Sequence, residues 1–461
     1  MNRVTKRTWL MALFILALVG GMVFFLADYW MHADQWIASP GSPHVYNGTN
    51  IGVGTVTDRS GNLLLDMRSD RSYAQNSTTR KSTLHWLGDR EGKISAGAIS
   101  HYAGAMVGFD RIKGIYNTGD ETGTAVLTLD SKVQNVALEA LNGRKGTVAV
   151  YNYKTGEILC AVTSPTYDPD NVPDIEADSS GKWEGAYLNR FLQTTYIPGS
   201  IYKVVTTAAA LDCVEGIQDM TFQCTGKVEY GTGSNIATVT CEGVHVKLTL
   251  KSALANSCNC AFAQIAELVG RKNMEKYVAQ FQVTAPVAFD GVTTARGNYN
   301  IQDAGAASFA WSCIGQHSNT INPARFMTFM GSIAGGGQGA EPYLVAEVSC
   351  GDETTYQAKT SQTDRIMSRE VAEILKAYMR NNVQNIYGDG RFPAISVCGK
   401  SGTSQLGGGE KSNAMFAGFA ADERYPLAFV CVVENGGYGA TACIPILSKV
   451  LSSCMSVLDA K

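Results

Sequence analysis

Neither His-Glu-x-x-His nor Cys-x-x-Cys occurs in the chain. The usual signatures of a zinc-bearing catalytic helix and of a dithiol redox site are therefore missing. The six histidines show no metal-ligand spacing, so no metal and no cofactor is expected. Charge is scarce as well: 17% of residues are charged, and the formal net charge is −3. Such a balance gives no electrostatic case for a nucleic-acid partner. Internal repeats and low-complexity tracts are absent. What the chain does have is apolar mass: 45% hydrophobic residues in 461, enough for a large core and two or three domains. Its 48 glycines are scattered, and the clusters Gly335-Gly-Gly337, Gly407-Gly-Gly409 and Gly436-Gly437 read as hairpin and loop tips.

The one long uncharged run is N-terminal. Trp9 to Ala27 carries no charge and is close to the roughly 20 residues that a spanning helix needs. Arg3, Lys6 and Arg7 precede it, and Asp28 and Asp34 follow. The positive-inside rule puts the N-terminus in the cytoplasm and the remaining chain outside, with Tyr29 and Trp30 in the interface belt. A cleaved signal peptide is the rival reading. The run is long for one, and Ala27-Asp-Tyr-Trp30 is a poor cleavage site.

Twelve cysteines are many for an exported chain, where cysteines usually pair. Cys160, Cys258, Cys260, Cys398 and Cys431 read as small buried hydrophobes. Cys224 and Cys241 bound one polar excursion and are expected close enough to bridge, their oxidation depending on the compartment.

Patterning divides the chain into an anchor with its cytoplasmic N-terminus (1–30), a stalk (31–50), a small domain (51–122) and a large domain (123–461). Val53 to Leu65 reads as strand, turn, strand, with the turn at Ser60-Gly61-Asn62. Asp130 caps a helix whose apolar face is Val133, Val136, Ala137, Ala140 and Leu141. A hairpin covers 146–162. Helical patterning dominates 200–212, 247–270 and 367–382; strands return at 394–403, 414–420 and 426–434, before a last helix over about 444–458. Strands at both ends with helices between indicate an α+β domain, one sheet covered by helices.

Three short motifs carry the chemistry. Ser200 and Lys203 lie three apart in Tyr196-Ile-Pro-Gly-Ser-Ile-Tyr-Lys203, ahead of the apolar run Val204 to Leu211. A helix puts them on one face, and Pro198-Gly199 suits a sharp entry to it. Serine needs an adjacent base to become a nucleophile, and a desolvated lysine can be one. Alone, such a pair arises by chance on ordinary helices. Here Ser257-Cys258-Asn259 and Lys400-Ser401-Gly402-Thr403 follow in order.

Ser-x-x-Lys, Ser-x-Asn and Lys-[Ser/Thr]-Gly in that order are the signature set of the penicillin-binding proteins and serine β-lactamases. Residues from about 123 to 455 resemble the transpeptidase domain of the class B penicillin-binding proteins. Leu127-Thr-Leu-Asp-Ser-Lys-Val-Gln134, Asn189-Arg190, Ile314-Gly-Gln316 and Asn322-Pro323 extend the likeness. Val56-Thr-Asp-Arg-Ser-Gly61 and His85-Trp-Leu-Gly-Asp89 are similar to the family's N-terminal pedestal, short here. The resemblance implies a five-stranded antiparallel sheet between helical layers, with the serine at a helix start facing the Lys-Ser-Gly strand. Gly-Val-His245 stands where related chains often carry His-Gly, and His245 reads as structural.

The resemblance also implies roles. Ser200 attacks the carbonyl of a stem peptide ending D-Ala-D-Ala, and Lys203 takes its proton. Ser257 relays a proton to the leaving nitrogen, and Asn259 orients Lys203 and the substrate amide. Backbone N–H groups of Ser200 and Thr403 form the oxyanion hole. Lys400, Ser401 and Thr403 hold the terminal carboxylate, while Gly402 lets the substrate backbone lie close. β-Lactams would acylate and inhibit the enzyme. A D,D-carboxypeptidase or slow β-lactamase differs only in the fate of the acyl group; a penicillin sensor or scaffold is the non-enzymatic alternative. Glu184 is off by one from the Glu-x-x-Leu-Asn of class A β-lactamases, precedes the serine, and reads as a surface residue. Roughly 100 residues between the anchor and residue 123 are too few for a glycosyltransferase domain beside the pedestal. The family resemblance therefore implies a multi-pass SEDS polymerase as partner, met through the Trp9–Ala27 helix and the pedestal. Gly20 and Gly21 are either its contact points or ordinary members of an apolar span.

Overall fold

The computed structural model describes residues 2–39, 41–43, 45–48, 50–68, 71–110, 112–116, 123–233, 235–405 and 411–460. The glycine cluster at 407–409 and the 122/123 domain boundary touch segments outside the described residues. A helix runs from Asn2 to Ile37, long and apolar enough to cross a membrane. Its large side chains, among them Trp9, Leu16 and Phe24, are exposed along its length. The helix continues into the expected stalk as far as Ile37, since no proline or glycine lies between residue 31 and Pro40.

The central sheet has strands β1 (Gly146–Asn152), β2 (Ile158–Ser164), β3 (Val397–Ser404), β4 (Asn413–Ala420) and β5 (Leu427–Val433). All pairs are antiparallel, in the order β2-β1-β5-β4-β3. Both faces are covered, so every residue of β1, β2, β4 and β5 is buried. Alternation still sorts the side chains. Val148, Val150, Phe416 and Phe429 join one core with Val133 and Leu141 of the helix Ser131–Leu141 and Leu447 and Val450 of the last helix, Gly439–Asp459. Ala149, Tyr151, Met415 and Val430 face the other way, onto Phe326 and Phe329 of the helix Pro323–Ala334. The fold is the expected α+β arrangement. Gly439–Asp459 passes a length-and-composition test for a membrane span, but its inner face is this core.

A second, six-stranded sheet crosses the expected domain boundary. Thr55–Thr57 pairs parallel with Gly123–Leu127, which pairs antiparallel with Val345–Cys350. The pedestal strands and the large domain thus share one hydrogen-bonded sheet. The turn predicted at Ser60-Gly61-Asn62 is organised by Asp58, which is buried. Its carboxylate accepts from the backbone N–H groups of Ser60 and Asn62, each at 2.9 Å, and from that of Ser131 at 3.1 Å. Burial disfavours its charge, yet hydrogen bonds from Asn62 and Ser131 hold the Asp58 pKa below the ordinary value.

Asp58→Ala should therefore destabilise the fold by about 1.5–3 kcal/mol at neutral pH, as expected for lost hydrogen bonds to a charged group. A carboxylate with a lowered folded pKa contributes stability above its unfolded pKa and loses it as pH falls through the folded value. The gap between wild type and variant in denaturant melts should thus close below about pH 4.

Candidate active site

The three motifs converge. Gly199–Tyr202 forms one 3₁₀ turn leading into the helix Lys203–Cys213, so Ser200 sits at the helix entry. Gly199 has φ +56°, and a Cβ there would lie 2.5 Å from the Thr403 carbonyl oxygen. A Cβ on Gly402 would lie 2.6 Å from the Pro198 oxygen. The two glycines let the serine turn seat directly on β3. At Gly402 the missing side chain makes room for the protein's own serine turn as well.

The helix expected over 247–270 is also broken. Val246–Thr249 is a strand, and helices Leu250–Ala255 and Asn259–Val269 flank a tight corner. Ser257 at that corner has φ +55°, an uncommon value for a residue with a side chain. The corner aims Ser257 and Asn259 inward at the amine of Lys203, and Cys258 Sγ caps the second helix.

Lys203 is completely buried. Its Nζ lies 2.7 Å from the Ser257 carbonyl oxygen, 2.7 Å from Asn259 Oδ1, 2.9 Å from Ser200 Oγ and 3.2 Å from Ser257 Oγ. Asn259 Nδ2 donates to the Thr240 carbonyl at 2.8 Å, which fixes Oδ1 toward the lysine. A neutral amine has two N–H bonds and one lone pair. The two closest partners can only accept, so they take both hydrogens. The lone pair is left for the Ser200 hydroxyl, as a general base requires. Burial, reinforced by the charge of Lys400, lowers the Lys203 pKa to about 7.

Lys400 is equally buried, and burial brings its pKa to about 7 as well. Its Nζ lies 3.1 Å from Ser257 Oγ and 2.9 Å from the Ser401 carbonyl. Two amines therefore bracket one serine hydroxyl. Sequence reasoning missed Tyr387, from a π-helical turn Val383–Tyr387. Its OH accepts from the Ser401 N–H at 3.0 Å and lies 2.9 Å from Ser401 Oγ and 3.5 Å from Lys400 Nζ. No motif marks this tyrosine; only the packing brings it to β3. Ser200, Ser257, Asn259, Ser401 and Thr403 line one cleft of about 410 Å³ with Trp311, Gln316 and Tyr438. Glu184 is exposed and pairs with Lys145, in keeping with a surface role.

Cys160, Cys258, Cys260, Cys398 and Cys431 are buried, as expected. Cys224 and Cys241 come close, but both thiols are free. His245 Nδ1 lies between them, 3.4 Å from one sulfur and 3.6 Å from the other. The hydrogen bond between Cys241 and Cys258 pulls the Cys241 thiol well below its usual pKa, and Cys258 is pushed up in return. His245 thus joins three cysteines in a cluster of metal-ligand type, which the spacing of the histidines does not announce. The ligand-type residues are spread over 224–258, so no compact spacing announces them.

A serine hydroxyl against a buried lysine amine, beside an antiparallel sheet between helical layers, is an arrangement suited to acyl transfer. The chain belongs to the family of the penicillin-binding protein transpeptidase domain, whose model matches residues 146–452. Over 340 residues it is 29% identical to the peptidoglycan D,D-transpeptidase PbpA of Mycolicibacterium smegmatis, covering 68% of each chain. The D,D-transpeptidase domain of a peptidoglycan glycosyltransferase from Eggerthella lenta superposes with TM-score 0.75 at 25% identity, covering 89% of this chain and 99% of that one. Penicillin-binding protein A of M. tuberculosis, solved as its penicillin G acyl-enzyme, has the same fold: TM-score 0.72, 23% identity, 87% and 99% covered.

Two titrations near pH 7 should shape the rate. The base must be neutral, whereas the amine that holds a carboxylate must be charged. The rate constant for acylation by penicillin should therefore follow a bell with its maximum near pH 7, falling about tenfold per unit on the acid side. Lys203→Arg, which stays charged, should acylate about 10²–10⁴-fold more slowly at the optimum in stopped-flow assays.

Proposed function

We infer that this protein is a serine-type peptidoglycan D,D-transpeptidase that is acylated and inhibited by β-lactams. The observation that carries this reading is the Lys203 amine, 2.9 Å from Ser200 Oγ with both its hydrogens committed elsewhere. Ser200 Oγ bonds to the carbonyl carbon of the penultimate D-alanine as its proton passes to Lys203. The backbone N–H groups of Ser200 and Thr403 take the negative charge on the carbonyl oxygen, a contribution of about 3 kcal/mol per donor. The C–N bond then breaks, and the terminal D-alanine leaves with the proton that Lys203 took, relayed through Ser257. Asn259 orients Lys203 and the substrate amide. Lys400, with the hydroxyls of Ser401 and Thr403, holds the terminal carboxylate by charge-assisted hydrogen bonds. An amine of a second stem peptide attacks the ester, forms the crosslink and releases Ser200. In a β-lactam the broken C–N bond belongs to the ring, so the leaving nitrogen stays tethered.

The Asn2–Ile37 helix is read as a retained membrane anchor. Arg3, Lys6 and Arg7 favour a cytoplasmic N-terminus and an extracytoplasmic catalytic domain. A SEDS-type polymerase supplies the glycan strand and packs against this helix and the pedestal. Among the described residues, nothing beyond the helix's own backbone stands within 4 Å of a Cβ placed at Gly20 or Gly21, so both are open to a neighbouring helix.

Intact-mass analysis after penicillin should show one adduct, mapped to Ser200, and lipid-linked substrate should yield crosslinked product in preference to hydrolysed stem. An adduct elsewhere, or full labelling of Ser200→Ala, would overturn the mechanism. Exchanging the N-terminal helix for an unrelated anchor should leave Ser200 labelling intact and weaken co-purification with the polymerase. Unchanged co-purification, after the pedestal is removed as well, would refute that partnership.

A further inference from the structure

Beside the catalytic serine–asparagine corner, four side chains with metal-ligating atoms meet. Cys224 ends the strand Thr221–Cys224, and Cys241 follows the strand Ala237–Thr240. His245 precedes the strand Val246–Thr249, and Cys258 lies between Ser257 and Asn259. Their three sulfurs and His245 Nδ1 all lie within 4.8 Å of one another. Cys224 Sγ is 3.4 Å and Cys241 Sγ 3.6 Å from the imidazole nitrogen, and Cys241 Sγ is 3.8 Å from Cys258 Sγ. A tetrahedron with Zn–S bonds of about 2.3 Å and Zn–N of about 2.0–2.1 Å has edges of roughly 3.6–3.8 Å. Three of the six separations, at 3.4, 3.6 and 3.8 Å, lie close to those edges, and the other three are within 4.8 Å.

The surrounding chain is arranged for a ligand. Val244 and Val246 are exposed, at 66% and 68%, while the polar His245 between them turns inward. That inversion of the usual pattern is held by Val246 at φ +63°, a strained value for a β-branched residue. A backbone N–H group also faces one of the sulfurs: Ala261 N–H points at Cys258 Sγ at 3.4 Å. Such donors stabilise thiolates, and outer-sphere hydrogen bonds of this kind orient metal ligands.

We propose that Cys224, Cys241, His245 Nδ1 and Cys258 bind one zinc ion. Each thiol releases its proton to solvent as its sulfur coordinates, and His245 binds as neutral imidazole with its proton on Nε2. Four protein ligands close the coordination sphere, so the ion holds structure and does no chemistry of its own. What it holds is the active site. It ties the excursion containing Thr240, whose carbonyl accepts from Asn259 Nδ2, to the corner carrying Ser257 and Asn259. The four ligands are positioning residues for the lysine contacts described above.

The full chain, purified in detergent under reducing conditions, should contain about one equivalent of zinc by mass spectrometry of the metal. Cys224→Ser and His245→Ala should each lose it about tenfold or more. Cobalt(II) in place of zinc should give thiolate charge-transfer and tetrahedral ligand-field absorption in the wild type and in neither variant. Should a variant fail to fold, alkylation mapping of the wild type decides: Cys224, Cys241 and Cys258 should be protected with zinc and react once a chelator removes it. Removal should slow penicillin acylation of Ser200 about 10- to 100-fold, with recovery on adding zinc. Reduced protein that takes up neither zinc nor cobalt would overturn the proposal. So would zinc retained by both variants, or a disulfide among these cysteines in protein taken directly from membranes. Metal content does not depend on Ser200, so a failure of the transpeptidase reading would leave this test intact.

Discussion

Two lysine amines are buried against the same serine hydroxyl, and the site is organised around that costly fact. Lys203 and Lys400 are both fully buried, 3.2 Å and 3.1 Å from Ser257 Oγ. Desolvating an ammonium is expensive, and a second positive charge close by adds to the expense. Near neutral pH the pair can hold one extra proton comfortably and two only poorly. With both amines brought to about 7 by burial, a neutral amine beside Ser200 is readily available near neutral pH. The nucleophile is activated by where the lysines are, with no carboxylate needed as an orienting third group.

The surrounding structure keeps those amines in place. The left-handed backbone at Ser257 presents its carbonyl and hydroxyl oxygens to Lys203, and Asn259 is held in one amide orientation by Thr240. Gly199 and Gly402 let the serine turn and β3 meet without intervening side chains. Tyr387 occupies the far side of β3 and satisfies the Ser401 N–H. β3 is an edge strand of the central sheet, so the chain that supplies Lys400 and Thr403 has only one strand partner and abuts the Ser200 turn. A rigid sheet, packed on both faces, thereby fixes a cleft at its edge.

Much of this was legible in the sequence because it depends on local pattern. The hairpin of β1 and β2, the strands around Lys400, the Asp130 cap and the Ser200 helix entry follow from alternation, turn residues and capping chemistry. The three motifs carry the groups proposed as catalytic, and the structure brings Ser200, Lys203, Ser257, Asn259 and Lys400 into contact. What was not legible depends on contacts distant in sequence. Residues 247–270 pattern as one helix because Ala, Leu and Cys suit a helix interior; tertiary packing breaks it at Ser257. Tyr387 and the contact of Gly402 with Pro198 require the third dimension. The six-stranded sheet joins strands from residues 55 to 357, a pairing no local pattern can announce. Of the cysteine–histidine quartet only the approach of Cys224 to Cys241 was expected; Cys258 read as a buried hydrophobe and His245 as structural, because the members are dispersed along the chain.

The central claim is that one of the two buried amines is neutral at physiological pH. Site-resolved NMR titration of the lysine side chains, on protein labelled with ¹³C at the lysine ε-carbons and assigned with Lys203→Arg and Lys400→Arg, tests it directly. The account predicts that the Lys203 resonance titrates near pH 7, more than two units below an ordinary lysine at about 10.4. Lys203 and Lys400 both titrating near pH 10 in the folded wild type would contradict it.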